Sequence, residues 1–183
     1  MKLFTLFGLI LLVFSCNNGQ RQKEDSAFSD LCENLPTITT PIVFNSNNDI
    51  QLKSIDLPNN RVLNELNAKS GFSVFGKLFE SKSLVTIVGY VPDDNGSPIL
   101  VTVDNRGNII ELFSLYQSVG FDMGYYRSNC VTINSDKTIS IVDSLLTRQI
   151  LEDGSNEIPG SDSLVITKSR FKQSASGKIE RIE

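Results

Sequence analysis

The feature that most constrains this chain is a hairpin at its centre, Pro98 to Tyr116, PILVTVDNRGNIIELFSLY. Two β-rich runs, Ile99 to Val103 and Ile109 to Tyr116, flank Asp104-Asn105-Arg106-Gly107-Asn108. Val, Ile and Thr suit a pleated, half-buried surface. Asp and Asn bond their own backbone in turns, and Gly107 can take the positive φ of a tight loop. The same grammar recurs at Phe72 to Glu80 with Ser83 to Val91, and around Asn134-Ser135-Asp136-Lys137. It closes the chain around Ser174-Ala175-Ser176-Gly177. The spacing is uneven, which excludes a solenoid or propeller. Ile99, Val101 and Val103 share one strand face and Leu100 the other, so the middle strands are apolar on both faces. Such strands belong where a sheet is covered or curls over itself. The expected fold is all-β, an antiparallel meander forming a barrel or two-layer sandwich of about eight to ten strands. One short helix is expected, capped by Asn59 or Asn60 and running to about Ala68 with Val62, Leu63 and Leu66 on one face. It would dock across an open end of the sheet. Pro41 makes Thr37 to Phe44 an edge or irregular segment, and Ile50-Leu52-Ile55 marks a short strand.

The N-terminus reads as an address. Lys2 precedes an apolar run from Leu3 to Phe14. That run is shorter than the about 20 residues needed to cross a bilayer core, so residues 1–15 read as a signal peptide. Asn17 to Ser29 is polar and charged, which predicts a flexible tether over residues 16–29, followed by one β domain over 30–183. The formal net charge is −4, and loss of Lys2 takes it to −5, so there is no general basic field for nucleic acid.

The chain contains no His, which excludes Ser-His-Asp and Cys-His catalysis and histidine metal ligands. It contains no Trp, leaving Tyr and Phe as the only stacking surfaces. Of three cysteines, Cys32 and Cys130 would remain as thiols if Cys16 is modified; in an oxidising compartment they are expected to pair, the alternative being two unconnected small buried residues. Asp93-Asp94-Asn95-Gly96 matches half of a calcium loop but equally a hairpin turn. The carboxylate pairs Asp93/Asp94 and Glu152/Asp153 sit in polar loops, where nothing raises a pKa for general-acid work. No cofactor or metal site is expected. Gly120-Phe121-Asp122-Met123-Gly124-Tyr125-Tyr126 carries bulky side chains in a long loop between strands. Phe121, Met123, Tyr125 and Tyr126 either plug one end of the fold or form an exposed binding surface, which the two glycines would let reshape.

Leu12-Val13-Phe14-Ser15-Cys16 resembles the lipobox of bacterial lipoproteins, which implies cleavage before Cys16 and lipid on its sulfur and amine. The hairpin runs of residues 99–116, 131–143 and 177–179 resemble those of small β-rich Bacteroidetes lipoproteins, a group that carries no activity over. The resemblance implies an envelope location, membrane-anchored at the outer membrane, with the surface or periplasmic face left open. It also implies O-glycosylation where Asp precedes Ser and an apolar residue, best at Ser26 and Ser163. The resulting expectation is a lipid-anchored, non-catalytic binding module for an envelope protein or glycan. The alternatives are a small-ligand carrier with a lipocalin-like cavity and a carboxylate-based hydrolase.

Overall fold

The computed structural model describes residues 17–57, 59–92 and 96–183, with side chains from Ser26 onward. The signal sequence, Cys16 and the calcium-like Asp93-Asp94-Asn95 lie outside the described residues. The central hairpin forms from β4 (Ser97–Asp104) and β5 (Ile109–Ser114), with Ile99 opposite Ser114 and Val103 opposite Ile109. Asp104 makes its turn: its Oδ1 accepts from the N–H of Arg106 at 2.9 Å and of Asn108 at 2.8 Å, and Gly107 adopts φ 76°. β2 (Ser73–Glu80) and β3 (Leu84–Val91) complete a four-stranded antiparallel sheet in the order β2-β3-β4-β5.

A second antiparallel sheet contains β1 (Ile42–Asn45), β6 (Gly120–Asp122), β7 (Tyr125–Ile133), β8 (Thr138–Thr147), β9 (Ser163–Gln173) and β10 (Ile179–Arg181). Its order is β1-β7-β8-β9-β10, with β6 paired to the far end of β7. The described residues thus form two sheets and no closed barrel, so the sandwich is the correct alternative. Phe75, Val88, Leu100, Leu115, Val131, Ile133, Ile139 and Ile141 fill the space between the sheets. One buried polar tie joins the layers. Gln173 Nε2 donates to Thr86 Oγ1 and Thr102 Oγ1, both at 2.8 Å.

The outer face of the four-stranded sheet is covered as well. Val85, Ile87, Val101 and Val103 pack with residues of α1 (Asn17–Asn34) and α2 (Arg61–Ser70) in a second apolar cluster. This explains why β3 and β4 are apolar on both faces. Asn60 caps α2, its Oδ1 accepting from Val62 and Leu63 N–H, and Gly71 ends it at φ 67°. α2 lies on the sheet face and not across an open end.

Three expectations need correction. The stretch read as a tether is helical, and no break falls at residue 30, because Ala27 and Leu31 are already buried in the core. Two helices therefore stand where one was expected. Ile50 and Leu52 form no strand; of that run only Ile55 bridges, to Val74, where it covers part of the β2 edge.

Candidate functional site

β7, β8 and β9 continue beyond the rows that fill the core. The last apolar rows of β7 and β8 that are buried are Ile133 opposite Ile139 and Val131 opposite Ile141. Next comes Asn129 opposite Asp143, a polar stopper. Asn129 accepts from Gln117 N–H at 2.8 Å and donates to Asp143 at 2.9 Å, while Arg127 grips Asp143 with Nε and Nη2. Past this point the side chains of β7 and β8 are half-buried or exposed.

On the face opposite Val131, the register aligns Phe121, Tyr126, Leu146 and Leu164 in one row across β6, β7, β8 and β9. Ile166 stands beside the row on β9. Phe121 is 81% exposed and Leu164 61%; Tyr126 and Ile166 are also exposed. Met123 stands exposed at the hairpin tip, and Tyr125 and Val165 are exposed on the reverse face. The plug reading of Phe121, Met123, Tyr125 and Tyr126 therefore fails, since a plug buries its side chains.

The hairpin is also held, not loose. Gly124 sits at φ 72°, and a Cβ there would lie 2.7 Å from Arg148 O. Its N–H donates to Glu157 Oε1 at 2.8 Å, and its carbonyl accepts from Arg148 N–H at 2.9 Å. Arg148 in turn bonds Glu157 Oε2 at 2.8 Å and pairs with Asp162. A shallow hollow of about 360 Å³ lies beside Phe121, lined by Tyr125, Tyr126, Leu146, Arg148 and Glu157. Of the hairpin's two glycines, Gly120 has open space around it and Gly124 does not, so the glycine freedom read from sequence survives at one end.

A second recess, of about 590 Å³, opens at the side of the sandwich between Phe75, Tyr90, Tyr116 and the Ser46-Asn47-Asn48-Asp49 turn. Tyr116 is buried, its hydroxyl has no hydrogen-bond partner, and burial raises its pKa to about 12, with Cys130 adding to the shift. The hydroxyl remains a neutral donor at any physiological pH. Tyr126 OH donates to Asn47 Oδ1 at 2.7 Å, linking this turn to the apolar row.

Five of the described carboxylates are shifted toward the ionised form. Arg127 lowers Asp143, Arg148 lowers Glu157, Ser155 lowers Asp153 and Thr138 lowers Asp136. Burial pulls Asp104 upward, but hydrogen bonds from Asn108 and Arg106 outweigh it and the net shift is down. All of these shifts favour the ionised form. Among the described residues no group of three or more His, Cys, Asp or Glu could hold a metal ion.

Cys32 and Cys130 are both free, which corrects the expected disulfide. Cys32 packs in the helical layer, while Cys130 lies on β7 in the opposite sheet, with the four-stranded sheet between those layers. Burial raises the Cys32 thiol to about 11, with Glu80 adding to the shift. Ser26 is exposed on α1, and Ser163 is exposed at the start of β9.

The row was missed from sequence because Leu146, Leu164 and Ile166 come from strands far along the chain from Phe121. The available signal was the run Ser163-Leu164-Val165-Ile166, apolar at successive positions in a strand with no covering element. Comparison with protein-family models, curated proteins and solved structures finds no match.

Proposed function

We propose that this protein is a lipid-anchored protein of the bacterial envelope that acts by binding another envelope protein, without catalysis. The observation that carries this reading is the row Phe121, Tyr126, Leu146 and Leu164, laid flat across four strands, with Leu146 half-buried and the other three exposed. A contiguous apolar patch on a soluble face marks an interaction surface. Its aromatic and aliphatic make-up suits a protein partner better than a sugar, which asks for a denser set of polar groups. Arg148, Glu157 and Asp162 supply the polar rim. The clamp on Gly124 presents the aromatics with little ordering left to lose on binding.

Anchoring through Cys16 rests on the apolar run from Leu3 to Phe14 and the small Ser15 before the cysteine. No helix among the described residues is long and apolar enough to cross a membrane. Outer-membrane placement and sugar on Ser26 and Ser163 belong to the same reading. A small-ligand carrier would have to use the open recess under Tyr116, because packed side chains fill the space between the sheets.

The test places a photo-crosslinking side chain at Phe121 in cells of the native host and identifies the adduct. Phe121→Ser with Tyr126→Ser should keep the melting temperature within about 3 °C, as exposed positions do. The same pair should abolish capture by a crosslinker moved to Leu164. Undiminished capture, or a large fall in melting temperature, overturns the reading.

A further inference from the structure

The β9 strand, Ser163–Gln173, is the longest strand in the fold, and most of one edge is open. β10 covers Phe171 to Gln173, and Ile182 and Glu183 bond the backbone of Arg170. No strand among the described residues pairs with residues 163–169 on that side. Natural sheets blunt such edges with short strands, prolines, charges or covering segments. β1 is short and follows Pro41, and the β2 edge is covered by bridges from Thr37 and Ile55. From Ser163 to Thr167 β9 carries no charge and no proline, and Leu164, Val165 and Ile166 are 61%, 54% and 55% exposed.

We infer that this edge pairs with the same edge of a second copy of the chain, antiparallel about a two-fold axis through Val165. The register follows from alternation. Arg170 points its N–H and carbonyl outward to Ile182 and Glu183, so Lys168, Ile166 and Leu164 do likewise. Outward-facing residues must meet their own kind, which leaves registers that pair even numbers with even numbers. Centred on Val165, Leu164 meets Ile166 of the second copy, and Asp162 meets Lys168, each twice by symmetry. Ser163 meets Thr167 on the other face. Shifting the axis to Leu164 leaves Lys168 opposite Gly160. Shifting it to Ile166 sets Leu164 against Lys168 and engages Arg170, whose backbone is already bonded. The Val165 register alone matches apolar with apolar and acid with base, terms that stabilise cross-strand pairs. It would join the two apolar faces into one surface, but the pairing stands independently of any partner for that surface.

The experiment uses the full chain in its membrane, in a Cys32→Ser, Cys130→Ser background. Val165→Cys places two thiols on the axis, at the separation a disulfide needs. On mild oxidation it should convert most of the chain to a crosslinked dimer, while Thr167→Cys gives less than about a tenth of that yield. Lys168→Glu should weaken the dimer about tenfold by sedimentation of the detergent-solubilised protein, and adding Asp162→Lys should restore it. A monomeric mass with no Val165→Cys crosslink, or equal crosslinking at both positions, overturns the inference. Loss of photo-crosslinking at Phe121 with the dimer intact would instead count only against the partner-binding function.

Discussion

Arg127 and Asp143 show how a single ion pair ends a hydrophobic core. Nε and Nη2 of Arg127 reach Asp143 at 2.9 and 2.6 Å, one row beyond the buried Val131 and Ile141. The guanidinium holds the Asp143 carboxyl below the ordinary carboxylate range, helped by Asn129. A carboxylate depressed in the folded state contributes stability above its unfolded pKa, near 3.9, and loses it as pH falls through the folded value. Asp143→Asn should therefore cost about 1–3 kcal/mol at pH 7, the range for hydrogen bonds to charged groups that are partly buried. The gap to wild type should shrink steadily below pH 4. Urea denaturation at pH 7 and pH 3 measures it, and a gap that stays constant would show that the pair contributes packing alone. Asn129 and Gln173 belong to the same physics: each buried amide is satisfied, and each sits where an apolar row stops.

At the scale of elements, α1 changes the picture most. Its buried positions Ala27 and Leu31, with Leu35 just past its end, lie four residues apart, and Phe28 and Cys32 flank them on the same stripe. That spacing was present in the sequence but was masked by the charged residues before it. Leu31 is fully buried against the outer face of the four-stranded sheet, so Leu31→Ala should destabilise the domain by about 2–5 kcal/mol. A urea midpoint unchanged within error would mean that the helix adds nothing to the fold. β2 carries a different lesson. Two register shifts, between Val74 and Gly76 and between Lys77 and Phe79, let it send Val74 to the helices and Phe75 and Leu78 to the sandwich interior. Strict alternation along Ser73–Glu80 would have put Leu78 on the same face as Val74.

For the whole molecule, the helices, the covered sheet and the open sheet form three layers, and only the last projects a bare end. Continuous helix from Asn17 to Ala27 spans about 15 Å at the usual ~1.5 Å per residue, which would be the stand-off between the proposed lipid at Cys16 and the first docked side chain. Cys16→Ala should end incorporation of labelled fatty acid and release the protein into the soluble fraction. Incorporation as strong as in the wild type would show that the anchor is elsewhere. Several acyl chains together make a stable anchor, so on the proposed reading the unmutated protein should stay wholly in the membrane fraction.

Local chemistry made much of the fold legible without coordinates. The Asp104 turn and the Asn60 cap depend on residues a few positions apart, whose hydrogen bonds form almost regardless of context. The absence of His likewise closed off whole reaction classes before any geometry was known. What the tertiary structure alone decided is which of two faces each segment buries. Phe121 is exposed because it lies on the face of its sheet turned away from the sandwich interior, where no described element covers it. Cys32 and Cys130 stay apart because the four-stranded sheet lies between their layers, and the sheets remain a sandwich because β5 and β10 do not pair. These outcomes rest on contacts between residues scores of positions apart, and periodicity along the chain carries no information about what arrives from elsewhere to cover it.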